Sequence, residues 1–208
     1  MQSPACPNPP TPDPAALSGY HVLVAVCGGI AAYKCAAVVS ALVQRGAAVR
    51  VAMTRAARRF VTPLTFESLT ARPAVTSLWT VADPFDPQHL ALTEAADLVL
   101  VAPATANILA KIAHGLADDL VSTLLLSVAG PVLLAPAMNT RMWENPFVQR
   151  NVATLREAGH HFVGPGSGWL ACRTVGAGRM AEPDEIVAQC AALLLRQPPR
   201  GRASGSPS

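Results

Sequence analysis

The chain has 208 residues, which suits one domain of about 180 residues with a full hydrophobic core. Apolar residues make up 51% and charged residues 14%, and the net charge of +3 forms no basic stripe, which argues against a nucleic-acid-binding surface. No apolar run reaches the roughly 18 residues needed to span a membrane, and so little charge predicts surface buried against other subunits.

The first segment, MQSPACPNPPTPDPAALSG (1–19), is dense in proline and reads as a disordered lead-in. It has neither the basic nor the apolar region of a signal peptide. HVLVAV (21–26) is strand-like. CGGIAAYK (27–34) is a glycine-containing turn into a helix that runs to Gly46. AVRVAM (48–53) is a second strand, followed by helical turns broken at Pro63. LVLVAP (98–103) is a third strand, and one long helix is expected from about Thr105 through Ala129. VLLAPA (132–137) is a fourth strand, NPFVQRNVATLREAG a helix, HHFVGP (160–165) a weak fifth strand and PDEIVAQCAALLLRQ a closing helix. The tail QPPRGRASGSPS (197–208) reads as disordered, leaving one domain over 20–196. Strands separated by helices predict an α/β fold, a doubly wound, Rossmann-like or flavodoxin-like parallel sheet with helices on both faces.

Cysteine occurs five times with no framework spacing. Cys27, Cys35 and Cys190 read as small core residues, which points to a reducing, cytoplasmic setting. No histidine, cysteine or carboxylate cluster has metal-ligand spacing. Asp118 and Asp119 read as mid-helix residues, either partners in subunit salt bridges or dipole-neutral polar positions.

Four segments carry chemistry. The turn at Gly28 and Gly29 would offer free N–H groups and a helix dipole to a phosphate. It lacks the third glycine of a dinucleotide motif, and the second strand ends in Met53-Thr54, with no acid to grip a ribose, so a mononucleotide fits better than NAD. Thr105 and Asn107 repeat that geometry after the third strand, where simple capping is the competing reading. In PAMNTRMWENP (136–146), Asn139 lies just past a strand's carboxyl end, where open α/β sheets bind ligands. An Asn there can orient a carboxylate. Cys172 sits in a Gly-rich loop, GPGSGWLACRTVGAGRMAEP (164–183), expected to be a flap. Arg173 beside it would favour the thiolate. Arg55, Arg58 and Arg59 form the one dense basic patch, either a solvated face or a phosphate or subunit contact.

In this order, GGIAAYK, TPLTFESLT, QHLALTEAADLVLVAPATANILAKIAHGLADDLVSTLL, APAMNTRMWENP and LACRTVGAGRMAEP resemble the flavin-dependent cysteine decarboxylases over about residues 20–190. The resemblance implies FMN as cofactor, with Gly28, Gly29, Ile30, Thr54, Thr105, Ala106, Asn107 and Ala137 around it. It implies His89 and Cys172 as catalytic groups, with Cys172 the proton donor on the flap. It places Asn139 on the substrate carboxylate, and Ala171 and Met180 against the substrate. The family commonly has Gly after the cysteine, where this chain has Arg173.

The implied substrate is 4'-phosphopantothenoylcysteine, decarboxylated to 4'-phosphopantetheine in coenzyme A biosynthesis. The resemblance implies that bound FMN would supply a reversible two-electron oxidation at the carbon bearing sulfur, so that CO2 could leave through a transient thioaldehyde and enethiolate before the electrons and a proton are returned. The implied assembly is a homotrimer or a multiple of trimers, with a separate synthetase chain in the pathway. Two alternatives share the resemblance. One is a decarboxylase of peptide C-terminal cysteine, which has less use for a reducing flap cysteine. The other is a non-catalytic flavin-binding regulatory subunit, which usually carries long acidic or Ser-rich extensions.

Overall fold

The computed structural model describes residues 15–78, 92–171 and 173–200. Its centre is a five-stranded parallel sheet of β1 (His21–Val26), β2 (Ala48–Met53), β3 (Leu98–Ala104), β4 (Val132–Pro136) and β5 (His161–Phe162), in the order β2-β1-β3-β4-β5. The helices are α1 (Lys34–Gln44), α2 (Pro63–Thr70), α3 (Ala106–Ala113), α4 (Leu120–Ser127), α5 (Thr140–Trp143), α6 (Pro146–Glu157) and α7 (Pro183–Leu194).

The strands read as unbroken apolar runs because both sheet faces are covered. From β1, Val22, Val24 and Val26 pack with Val38 and Leu42 of α1 and with Ile186 and Cys190 of α7. Leu23, Ala25 and Cys27 point the other way, into Leu109 of α3, Leu124 of α4 and Leu155 of α6. All seven residues of β3 are buried. Cys27, Cys35 and Cys190 are free and buried, as expected of core thiols. Burial pushes the Cys35 and Cys190 thiols up to about 12. No helix among the described residues is long and apolar enough to cross a membrane.

The structure corrects three expected elements. The single long helix after β3 is two helices. Gly115 adopts φ +67° beyond α3, and Asp119 starts α4 with a capping box in which Asp119 Oδ1 accepts from the Ser122 N–H and Ser122 Oγ accepts from the Asp119 N–H. Asp118 and Asp119 are therefore not mid-helix; both pair with Lys111 of the same chain. The weak fifth strand shrinks to two residues paired with Leu133 and Leu134. The Gly-rich flap is an antiparallel hairpin of β6 (Gly166–Trp169) and β7 (Val175–Arg179) rather than a loop.

Packing also continues beyond residues 20 and 196. Leu17 is fully buried and its N–H donates to the Arg45 carbonyl. Tyr20 Oη donates to the Gln197 carbonyl at 2.8 Å, and the Arg200 N–H donates to Asp97 Oδ1 at 2.8 Å.

Candidate active site

In this strand order the chain reverses direction across the sheet between β1 and β3. The loops leaving their carboxyl ends diverge and open a crevice there. A cavity of about 1590 Å³ occupies it. That exceeds the 300–1,000 Å³ typical of a small-molecule site, so two ligands can lie side by side. Gly28, Gly29, Ile30 and Thr54 line one wall, Thr105, Ala106 and Asn107 the next, and Ala137, Asn139, Ala171 and Met180 the side nearest the flap. These are all the anticipated site residues that fall among the described ones. His89 and Cys172 lie outside the described residues.

The glycine turn has a steric origin. A Cβ on Gly28 would fall 2.4 Å from Ala56 Cβ and 2.8 Å from the Ala56 carbonyl carbon, so only glycine lets the turn close on the loop after β2. Gly29 is extended and caps the 3-10 turn Ile30–Tyr33 with no side-chain hydrogen bond. The start of that turn thus carries no side-chain cap on the cleft side, and its N–H groups suit an anion. After β3, Thr105 caps α3 through a long 3.4 Å bond from the Ile108 N–H. After β2, Thr54 Oγ1 accepts the Ala57 N–H at 3.1 Å, which leaves its hydroxyl proton to donate. Arg55, Arg58 and Arg59 line the same cavity, so the basic patch faces the site.

Asn139 is the N-cap of α5, and its Oδ1 accepts the Met142 N–H at 2.8 Å. The acceptor end is thereby turned to α5, and the Nδ2 donors are the groups best placed for a ligand. Such a group selects an anionic or carbonyl oxygen. The flap lies against this loop: the Met138 N–H donates to the Gly178 carbonyl at 2.9 Å. Met180 is almost wholly buried at the base of the flap.

Sequence reasoning missed two charged clusters. Lys34 Nζ donates to both Glu182 oxygens, at 3.1 and 3.0 Å, and Arg179 also pairs with Glu182. Lys34 holds the exposed Glu182 carboxyl below its usual range. This cluster ties the end of the flap to the start of α1. Lys34 and Glu182 are 148 residues apart, so no local signal announced it. In the second cluster Lys111 joins Asp118 and Asp119, and Asp119 reaches the cavity wall. The Asp-x-x-Ser spacing of a capping box was the available signal. Cys27 also touches the cavity, but burial, with smaller contributions from Asp119 and Cys35, raises its thiol far out of the reactive range. Among the described residues no group of three potential ligands could hold a metal.

One cleft thus combines two helix starts suited to anions, an apolar wall, basic residues and an amide donor suited to an anionic or carbonyl oxygen. The family model described as Flavoprotein matches residues 11–195. The chain belongs to the Flavoprotein family. It is 47% identical over 171 residues to the coenzyme A biosynthesis bifunctional protein CoaBC of Bacillus subtilis (strain 168), covering 82% of this chain and 42% of that protein. The chain thus spans less than half the length of that curated relative.

Two solved structures of this Flavoprotein fold are similar as well. A PPC decarboxylase mutant complexed with pantothenoylaminoethenethiol superposes with a TM-score of 0.77 at 32% identity, over 86% of this chain and 99% of that one. The FMN-dependent cysteine decarboxylase SpaF gives 0.74 at 32%, over 86% and 97%.

Proposed function

We propose that this chain is an FMN-dependent decarboxylase that converts 4'-phosphopantothenoylcysteine to 4'-phosphopantetheine, a step of coenzyme A biosynthesis. The observation that carries the reading is the placement of Asn139. Its Oδ1 is turned to α5, its Nδ2 donors have no partner among the described residues, and it lines the same cleft as the flap residues and the two anion-competent turns. The PPC decarboxylase and CoaBC likenesses support the substrate, and SpaF supports the cofactor.

The residues present fit FMN. Gly28, Gly29, Ile30, Thr54 and the start of α3 at Thr105, Ala106 and Asn107 would hold it, and Ala137 would pack against it. Bound there, FMN supplies the reversible two-electron oxidation that makes loss of CO2 from a cysteine carboxylate feasible. The protein's own part is orientation and proton placement. Asn139 donates to the substrate carboxylate and holds it across the developing π system. Cys172 returns a proton to carbon once CO2 has left, and Ala171 and Met180 border the bound substrate. His89 orients the thiol or carboxylate or exchanges a proton with it. The working unit is a homotrimer or a multiple of trimers. Large apolar side chains exposed in the described chain, among them Leu64 at 67%, Phe147 at 67% and Trp169 at 65%, support burial against further copies.

The test is turnover by purified, FMN-loaded protein given 4'-phosphopantothenoylcysteine and, separately, a peptide ending in cysteine. Release of CO2 with 4'-phosphopantetheine is the expected result. Turnover of the peptide alone, to a product lacking two hydrogens, would replace this reading with the peptidyl-cysteine one. Flavin binding with neither activity would favour a regulatory subunit.

A further inference from the structure

A second cavity, of about 370 Å³, opens at the other end of the sheet from the cleft. It lies between the amino-terminal halves of β1 and β2, with Arg72 on one side and Leu92, Ala95 and Ala96 on the other. Its composition is unusual for the start of two strands. Arg50 occupies a β2 position whose alternation points it to the same sheet face as Ala52, and it is registered opposite Leu23 of β1. Leu23 and Ala52 both belong to the core on that face. Arg50 thus stands where an apolar residue would continue the row.

Two cations face this space, and among the described residues neither has a counter-charge. Neither Arg50 nor Arg72 belongs to any ion pair among the described residues. No described carboxylate lines the cavity. Asp97, the next residue after its wall, spends both oxygens on backbone N–H groups, of His21 at 2.7 Å and Arg200 at 2.8 Å. Arg50 Nε is buried and has no hydrogen-bond partner. Burial, and after it the positive field of Arg72, pull the Arg50 guanidinium below its usual range. The buried unpartnered N–H opposes folding, the like charge of the exposed Arg72 adds a weaker, solvent-screened repulsion, and one oxyanion would relieve both.

We infer that this cavity is an anion site, separate from the catalytic cleft, in which Arg50 and Arg72 clamp a phosphate group. The guanidinium fork matches a tetrahedral oxyanion in two-point contact. Val22, Leu23 and Leu92 give the rest of the cavity an apolar lining, and its volume admits a small substituent on the phosphate. The ligand class is therefore inorganic phosphate or a small phosphomonoester.

The experiment is calorimetric titration of the FMN-saturated protein at constant ionic strength, chloride replacing phosphate in the control. Inorganic phosphate and n-propyl phosphate are the two probes. The expected result is one saturable event in the unsubstituted protein, weakened at least tenfold in Arg50→Gln and in Arg72→Gln. Arg50→Lys, which keeps the charge and loses the fork, should weaken it less. Tighter binding of n-propyl phosphate with the same arginine dependence assigns the site to a phosphomonoester; equal binding assigns it to the free ion. FMN content measured in each variant shows that the cleft is intact. Saturable binding that is unchanged in both Gln variants would place the phosphate elsewhere and overturn the inference. So would the lack of any saturable event in the unsubstituted protein, which would mean that the pair is neutralised within the assembly.

Discussion

Met138 and Gly178 meet backbone to backbone: the Met138 N–H donates to the Gly178 carbonyl at 2.9 Å, and a Cβ on Gly178 would fall 2.3 Å from the Met138 carbonyl oxygen. The base of the flap is thereby locked to the loop that carries Asn139. Gly178 also has φ +124°, a region closed to side chains.

Gly178→Ala therefore meets two penalties, backbone conformation and overlap, and should destabilise the hairpin by about 2 kcal/mol or more. Since FMN would be held mainly by the turns after β1 and β3, flavin content should survive while kcat/KM falls at least tenfold. Steady-state kinetics beside flavin absorbance checks this. Loss of flavin in step with activity would show that the flap also shapes the cofactor site.

At Asn139 the cap and the ligand contact can be separated. Aspartate is as good an N-cap as asparagine, so Asn139→Asp keeps the bond from the Met142 N–H and should keep Tm. It loses the amide donors and sets a negative charge against the substrate carboxylate. At an effective dielectric of about 20, like charges about 4 Å apart repel by roughly 4 kcal/mol, enough to abolish productive binding. Asn139→Ala loses cap and donor together and should cost about 1 kcal/mol of stability as well. Thermal melts with kinetics on both variants make the check.

The sheet was legible because β1, β3 and β4 are buried on both faces and so read as plain apolar runs. The hairpin was not. Gly166, Gly168, Gly176 and Gly178 carry no strand signal, and what orders them is contact: a Cβ on Gly176 would strike Thr140 Oγ1 at 2.3 Å. The break between α3 and α4 hid inside an apolar stretch whose only markers were Gly115 and the Asp119 cap. The cleft residues around Gly28, Asn107 and Asn139 were found by motif, since each sits at a strand end. The Lys34–Glu182 pair and the Arg50–Arg72 cavity are products of topology and have no footprint in local sequence.

Arg173 has φ +64°, in the left-handed region that favours glycine. Glycine would adopt this conformation freely, so the arginine side chain is carried at a cost. Holding a non-glycine residue there costs roughly 1–2 kcal/mol. Arg173→Gly should stabilise the hairpin turn by about 1 kcal/mol, read as slower amide exchange at Leu170, whose N–H donates to the Thr174 carbonyl. Faster exchange at Leu170 would mean that the arginine side chain itself holds the turn.

Asp119 sets a pH dependence. Burial alone would raise its carboxyl, but hydrogen bonds from Lys111 and from the backbone and hydroxyl of Ser122 outweigh burial and leave it below its usual range. A carboxyl lower in the folded than in the unfolded chain binds its proton more readily when unfolded. Its contribution to stability is thus fully present above the unfolded value of about 3.9 and is lost as pH falls through the lower folded value. Urea unfolding between about pH 7 and pH 3 should show stability declining only in the acid part of that range. Lys111→Met removes the main opposition to burial, so the folded Asp119 carboxyl rises toward or past its unfolded value and the acid decline should shrink. Asp119→Asn keeps the N-cap and removes the titrating group, and should likewise flatten the acid decline relative to the unsubstituted protein. An acid limb that is the same in all three proteins would assign the pH dependence to other carboxylates.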